Sequence, residues 1–523
     1  MANLYILAGV AGCGKAQPVD TIIPTPDGDK RLGDITVGDY VFDRLGNPTK
    51  VLGVFPQGKL DNYKVTFKDG RFTYCNDEHL WSYYTSKHNL KTVPLKTFIE
   101  RGLCLESQIK KRNRYHHKFY IPTNECVDYS TKEFKIHPYI VGAFLGDGCC
   151  LEKKLTISSN DEFIVNKISN LLPISNVYKK NSEKNYNWEF KAKNPAYKNI
   201  RKQYIYTNEI FGNFSEEIIQ YSYNKRIPTQ YLYGDKNQRL ELLRGLLDTD
   251  GSISINGNRF DVSFITTSFF LMQDFTKLVR SLGFNAGNIH IDNRNKYTNG
   301  CCYEITMLID NENKEELFSL PRKCAIGKMA KNYHKRARYD KTCIVDIEKM
   351  PEKEEMVCIY VDNDEHLYLT NDFIVTHNTT WAREHNTDFN AKVISRDNIR
   401  FAYMANDPEF NPSTDYFKYE KNVTRDFYNQ INWDLCVNDI NVIADATHIS
   451  WKSLRKTIEN CGKNADKIIL VYFNRGLDIA LPQNDKRTGV EHVPEEVIRR
   501  MWLGRYMPAR AKAKGLVDEY MIV

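Results

Sequence analysis

The sequence predicts a multidomain chain: an all-β module assembled from two separated segments, an α/β module that interrupts it, and an α/β domain with a phosphate-binding loop, split around both. Three observations predict this. A G-x-x-x-x-G-K loop at residues 9–15 stops before its Ser/Thr, and Thr379-Thr380 supply the missing residues 363 positions later. Residues 16 to about 125, and again those before Asn378, read as short strands broken by Gly, Asp and Pro. Two apolar helices ending in Asp-Gly lie in a basic block, their aspartates 103 positions apart. The expected boundaries are 1–15, 16–128, 129–338, 339–378 and 379–523.

The bulk numbers narrow the class. A chain of 523 residues holds three or four domains at the usual size of about 100–200 residues. Leu4–Val10 lacks the basic flank and cleavage site of a secretory signal. No apolar run approaches the roughly 20 residues of a membrane span. The expectation is a cytosolic monomer with no membrane partner. Thirteen cysteines without paired C-x-x-C motifs speak against a zinc ribbon, and the odd count suits reduced thiols. Residues 131–340 hold 31 Lys+Arg against 23 Asp+Glu, whereas the remainder holds 42 against 43. The whole excess of the +7 net charge therefore sits in one internal block, read either as a solvated surface or as a nucleic-acid face.

Taken in order, Met1–Ala8 is a short apolar run that reads as a buried strand. Gly9, Gly12, Gly14 and Lys15 form the loop, but Ala16 follows, and then prolines rather than a helix. Deleting Ala16–Asn378 joins Gly-Cys-Gly-Lys to Thr-Thr-Trp-Ala-Arg-Glu, a complete loop running into a helix. Asp20-Thr-Ile-Ile, Leu32-Gly-Asp and Val37-Gly-Asp, with Asp69–Trp81 and Cys358–Thr379, resemble the splicing blocks of inteins. That resemblance implies an insertion between Lys15 and Thr379 that excises itself. Inteins begin with Cys or Ser, whose side chain turns the scissile amide into a thioester or ester. The methyl of Ala16 cannot, so we read it as a Cys-to-Ala replacement that traps the precursor. The alternative is a native Ala of a different splicing subclass. By the same resemblance His79 polarises the scissile peptide, with Asn76 hydrogen-bonding the scissile oxygen where the family often has Thr. Asn378 cyclises onto its own carbonyl, His366 and His377 assist proton movement, and Thr379 is the downstream nucleophile. Cys358 stands where many inteins carry Asp; a buried inert thiol is the other reading. Taken alone, His79 is more often an ordinary structural histidine.

Ile140–Gly148 and Leu243–Gly251 resemble the paired LAGLIDADG motifs of homing endonucleases. Gly142, Ala143 and Gly245 allow two helices to pack closely, so that Asp147 and Asp250 project together and hold Mg²⁺ against scissile phosphates. Asn224–Pro228 and Leu278–Phe284 match further blocks, and Lys225 is implied to activate water or stabilise charge. Segments 258–264 and 290–296 alternate as strands facing double-stranded DNA, with basic residues to phosphates and selected side chains to bases. The implied target is the intein-less allele; the alternative is a decayed nuclease that only folds and binds.

Residues 1–15 and 379–523 join into one 160-residue α/β domain. Its loop amides cradle phosphates, Lys15 reaches the β/γ-phosphates of ATP, and Thr379 takes Mg²⁺ beside Thr380. Val393–Arg400, Val442–His448 and Gln483–Gly489 resemble the kinase domain of phage polynucleotide 5′-kinases. The resemblance makes Asp397 the base for a 5′-hydroxyl of DNA or RNA, and puts Arg400 near the acceptor phosphate. Arg487 becomes a lid arginine and Asp445 a support for Mg²⁺ or the loop. Gln483 stands where the family's lid often has a second arginine. Without that context Asp397 reads as a helix N-cap. A small-metabolite kinase is the alternative host, and an inert DNA-binding precursor the non-enzymatic reading of the whole chain.

Overall fold

The computed structural model describes residues 2–8, 16–104, 117–149, 155–172, 176–179, 186–191, 221–256, 259–293, 301–331, 340–363, 365–377, 389–405, 407, 418–472 and 495–522. Gly9, Gly12, Gly14, Lys15, Asn378, Thr379, Thr380, Gln483 and Arg487 lie outside the described residues.

β1 (Leu4–Ala8) is buried at every position. The reason is its place in a sheet with residues that follow the insertion. Leu4, Ile6 and Ala8 pack with Phe427, Leu435, Val442 and Leu470 on one face. Tyr5 and Leu7 pack with Ile443, Ile469 and Val471 on the other. A strand covered on both faces reads as a continuous apolar run, the mark of a parallel sheet.

β2 (Gln17–Pro18) opens the insertion, followed by the long β3 (Pro48–Phe67) and β4 (Phe72–Cys75). The expectation that residues 16–125 are all strand and turn needs one correction. Leu95–Arg101 is a helix, α1, ended by Gly102 at φ 65°. Its Leu95 and Phe98 lie on one face, and Phe98 stacks on Phe119 at 4.2 Å, closing a small core with Trp81 and Val65. Two apolar residues three apart satisfy a helix as well as a turn.

The interrupting module has two halves. α2 (Pro138–Gly146) precedes a small antiparallel sheet, Gly148–Cys149, Leu155–Ser158, Asn187–Lys191 and Asn176–Lys179. α3 (Lys236–Thr249) precedes β5 (Gly251–Asn256) and β6 (Arg259–Thr266), then α4 (Phe269–Ser281), β7 (Cys302–Leu308) and α5 (Pro321–Lys331). One core runs through both halves, from Tyr139, Phe144 and Ile157 to Leu243, Phe264 and Leu278. Two of the segments expected as strands are strands: β6, and His290–Asp292, which pairs with β7.

β8 (Lys341–Val361) returns the chain to the first module. It pairs antiparallel with β3 from Ile344↔Phe67 to Val361↔Val51, and with β2 at Gln17↔Val357. β9 (Leu367–Thr370) and β10 (Ile374–His377) form a hairpin that ends at the junction. Beyond it come β11 (Ala391–Ser395), α6 (Arg396–Ala405), α7 (Glu420–Cys436), β12 (Asn441–Asp445), β13 (Ile468–Tyr472) and β14 (Glu519–Ile522). The sheet order is β11-β12-β1-β13-β14, all parallel. Segments separated by the insertion thus complete a single sheet, with β1 at its centre. Among the described residues no helix is long and apolar enough to cross a membrane.

Candidate functional site

The two ends of the insertion meet in the first module. Ala16 is buried, 1% exposed. Its backbone N–H donates to Asn76 Oδ1 at 2.9 Å, and the Asn76 N–H donates to the Ala16 carbonyl at 3.1 Å. The Asn76 side-chain oxygen thus accepts from the junction N–H; the scissile oxygen expected as its partner belongs to Lys15, which lies outside the described residues. The His79 N–H donates to the Asn76 carbonyl, closing that turn. The His79 ring is buried edge-on to Trp81, with Nε2 2.5 Å from Thr376 Oγ1. Thr376 precedes His377, so the histidine of one splicing block touches the strand that carries the other junction.

Gln17, next to Ala16, is fully buried. It donates to Thr73 Oγ1 and the Tyr74 carbonyl, and accepts from Tyr368 Oη at 2.9 Å. Tyr368 lies on β9, so this bond links the start of the insertion to the hairpin at its end. Burial, with Cys358 and Cys75 beside it, raises the Tyr368 phenol well above its ordinary range, so it stays a neutral donor. His366 and His377 sit across the hairpin with ring centroids 6.2 Å apart. Cys358 lies on β8 opposite Phe55, with Sγ 3.6 Å from the Ile359 carbonyl. The structure therefore brings Ala16, Asn76, His79, Cys358, His366 and His377 into one module. Sequence reasoning misses Gln17, Tyr368 and Thr376, since each is an ordinary strand residue there.

The second site lies between α2 and α3. A Cβ on Gly142 would stand 2.2 Å from the Leu242 carbonyl, and one on Gly245 2.2 Å from the Tyr139 carbonyl. Only glycine permits backbones this close. Asp147 and Asp250 are the C-cap residues of the two helices, at φ −88°, ψ 1° and φ −87°, ψ 2°. Near-identical caps on adjacent helices aim the two carboxylates into one place. Burial raises the Asp147 carboxyl, with Lys225 and Lys323 opposing. Burial and then the charge of Asp147 push Asp250 up to about 7, against the same two lysines. Two carboxylates buried side by side, both hard oxygen donors, fit a divalent cation such as Mg²⁺. Among the described residues no cluster of three His, Cys, Asp or Glu exists.

Lys225 is set differently from a free catalytic amine. Its Nζ donates to the carbonyls of Gly146 (2.8 Å) and Gly148 (3.1 Å) and lies 3.4 Å from that of Phe144, capping α2. Lys323 of α5 does the same for α3, donating to Leu247 (2.6 Å), Asp248 (2.9 Å) and Gly251 (2.6 Å). Burial lowers it to about 8. Each ammonium satisfies orphan carbonyls at a helix C-terminus and offsets the aspartate beside it. Lys323 is the symmetric partner of Lys225, and no motif around it signals this.

In the split sheet, β12 ends at Asp445 and α6 begins at Arg396, so Asp397 lies in the first helical turn rather than at an N-cap. Both belong to the C-terminal edge of the parallel sheet, the edge to which β1 also leads; ligands bind at that edge in open α/β sheets. Arg400 is 7% exposed, with Nη2 3.1 Å from Glu420 Oε2, and Glu420 also pairs with Arg396. The expected acceptor-phosphate arginine is here engaged by a carboxylate that sequence reasoning does not single out.

Comparison with known proteins gives three results. Residues 237–319 match the model of the LAGLIDADG-like domain. Over 396 residues the chain is 28% identical to the replicative DNA helicase DnaB of Mycobacterium intracellulare, covering 72% of this chain. Over 81 residues it is 34% identical to the DnaB helicase of Mycobacterium leprae (strain TN), covering 15% of this chain. The chain spans 60% and 13% of the lengths of these relatives. Among solved structures, the gp41-1 intein is 31% identical over 16% of this chain and 77% of its own, with a TM-score of 0.13. A single-residue variant of I-DmoI in complex with its target DNA is 11% identical over 33% of this chain and 89% of its own, with a TM-score of 0.21. The close-packed pair of helices, their capping aspartates and the family match agree, and the chain carries a LAGLIDADG-like domain.

Proposed function

We propose that residues 16–378 are an intein with a LAGLIDADG homing endonuclease, inserted in the phosphate-binding loop of an ATP-dependent polynucleotide 5′-hydroxyl kinase. The observation that carries the first part is the meeting of both junctions: Ala16 is tied to Asn76, and His79 of the same turn to Thr376. With a cysteine in place of Ala16, the thiol attacks the Lys15 carbonyl, and the amide that follows Lys15 becomes a thioester. Asn76 orients that amide through its N–H, and His79 supplies the proton its nitrogen takes up. Thr379 then takes the acyl group. The Asn378 side-chain nitrogen attacks its own carbonyl, freeing the Thr379 amine, and the ester rearranges to an amide. Ala16 stops this sequence at its first step and leaves only the Asn378 cleavage.

Asp147 and Asp250 would hold Mg²⁺, which supplies charge neutralisation at a scissile phosphate of the intein-less DNA site. Lys225 and Lys323 cap the helices that position them. In the host, Lys15 and Thr379 would serve ATP and its Mg²⁺, with Asp397 as base and Arg487 as lid. The supporting feature is a parallel sheet that needs residues on both sides of the insertion. Until excision, Lys15 and Thr379 are separated by the insertion, so the precursor lacks a working nucleotide site. A helicase host is the second reading, favoured by the names of the two curated relatives. The test uses Ala16→Cys chain, allowed to splice. Its 160-residue product is expected to move phosphate from ATP to 5′-hydroxyl oligonucleotides, which the precursor does not. A product that unwinds duplex without phosphorylating ends the kinase reading.

A further inference from the structure

The hairpin that presents the downstream junction turns at Asn371-Asp372-Phe373, between β9 and β10. Asp372 and Phe373 both have positive φ, 55° and 57°. Left-handed backbone at non-glycine residues costs roughly 1–2 kcal/mol each and persists only where the surroundings impose it. Two arginines surround this turn. Arg71 is almost fully buried and paired with Asp69 at 2.8 Å, and its Nη1 donates to the carbonyls of Asp372 (3.4 Å) and Phe373 (3.3 Å). Arg280 comes from the other module, at the end of α4, and its Nη1 lies 3.1 Å from Asp372 Oδ1. A cavity of about 260 Å³ borders the turn between Ile22, Pro24, Lys277 and Phe373. Phe373 itself packs against Phe42, Tyr129 and Leu369, and Asn371 Nδ2 donates to the Phe72 carbonyl at 2.7 Å; Arg280 adds the contact from the other module, onto the Asp372 carboxylate.

The other end of this contact is rigid. The Arg280 carbonyl accepts from Asn124 Nδ2 at 2.9 Å, and the Ser281 carbonyl accepts from the Val127 N–H (3.0 Å) and from Arg239 Nη1 (2.6 Å). Arg239 belongs to α3, the helix that ends in Asp250. From the turn, β10 runs four residues to His377, passing Thr376 in contact with His79. A displacement of the turn therefore moves Thr376 and His377 with it, since a strand of four residues cannot absorb it.

We propose that Arg280, a residue of the endonuclease module, is a positioning residue for peptide-bond cleavage at Asn378. The proposal rests on the intein reading above. It implies that the LAGLIDADG-like domain is a working part of the splicing hairpin's scaffold as well as a nuclease. Arg280 touches no reacting atom; it acts through Asp372 and the strand that follows.

The test follows release of residues 379–523 from the full chain by intact mass over time. Arg280→Met is expected to slow release on the order of tenfold, as misplacement of a reacting group does. Arg280→Lys retains most of the parent rate. Asp372→Asn, which tolerates the left-handed backbone, slows release in the same direction. In the Ala16→Cys background, thiol-driven release of residues 1–15 falls less than release of residues 379–523 in Arg280→Met and Asp372→Asn, because Ala16 and Asn76 do not lie on the strand that follows the turn and only the Thr376 contact of His79 is disturbed; a loss of fold would lower both rates equally. Parent-rate release from Arg280→Met, or equal loss of both cleavages, overturns the proposal. A parent chain that releases nothing, behaving as Asn378→Ala does, overturns the intein reading itself.

Discussion

The Ala16 N–H and the Asn76 side chain are joined by a 2.9 Å hydrogen bond, and the Asn76 N–H returns one to Ala16 at 3.1 Å. This reciprocal pair holds the N–H of the junction peptide and the carbonyl of the peptide that follows it. In Ala16→Cys chain, Asn76→Ala removes one half of it. Thiol-driven release of residues 1–15 is expected to fall by on the order of 10- to 100-fold, the cost of losing one preorganised group at a reacting amide. Asn378 cleavage is expected to continue. Mass spectrometry of both fragments checks the split.

The helix crossing depends on two glycines. Gly245→Ala places a methyl 2.2 Å from the Tyr139 carbonyl, which has no flexible end to give way. The helices must separate, at a cost of about 1–3 kcal/mol. Asp147 and Asp250 then part, and DNA cleavage falls with stability. Thermal unfolding and a nicking assay on DNA that encodes residues 1–15 joined directly to residues 379–523 test this together.

Asp250 stores unfavourable charge. Asp250→Asn keeps the shape and removes the repulsion from Asp147, so without divalent metal the variant should be more stable by about 1–3 kcal/mol. Adding Mg²⁺ is expected to raise the melting temperature of the parent and not of the variant, and the variant should not cut DNA. An unchanged melting temperature in the parent with Mg²⁺ would count against the metal assignment.

His448 ties the two host segments together. Its Nδ1 donates to the Leu7 carbonyl at 2.8 Å, and Nε2 accepts from Thr457 Oγ1 at 3.0 Å. Burial lowers it to about 4, against about 6.5 when unfolded. The unfolded chain binds the proton first as pH falls. Its contribution is therefore complete above about pH 6.5 and lost progressively down to about 4, by about 3 kcal/mol in all. Hydrogen exchange at Leu4–Ala8 should accelerate over that window, and His448→Gln should abolish the dependence.

These cases show which parts of the molecule the sequence reveals. The apolar run Leu4–Ala8, the helix ends at Asp147 and Asp250, and the break after Lys15 carry local signals, and the described elements among them are where that reading puts them. Thr376, Lys323 and Arg280 carry none. Thr376 meets His79 across 297 positions, and Lys323 caps a helix through three carbonyls that any cation could reach. Asn76 is legible as a residue, but its bond to the junction N–H is not, since side-chain direction depends on tertiary neighbours that residue types do not specify.

The account stands on one claim, that Ala16–Asn378 is an insertion which excises itself once position 16 can act as a nucleophile. Intact mass of the chain and of Ala16→Cys, incubated alike in reductant, tests it directly. The account predicts a joined 160-residue product and a free 363-residue insert from the Ala16→Cys form only. An Ala16→Cys form that stays whole, with no ligated product at any time, contradicts it.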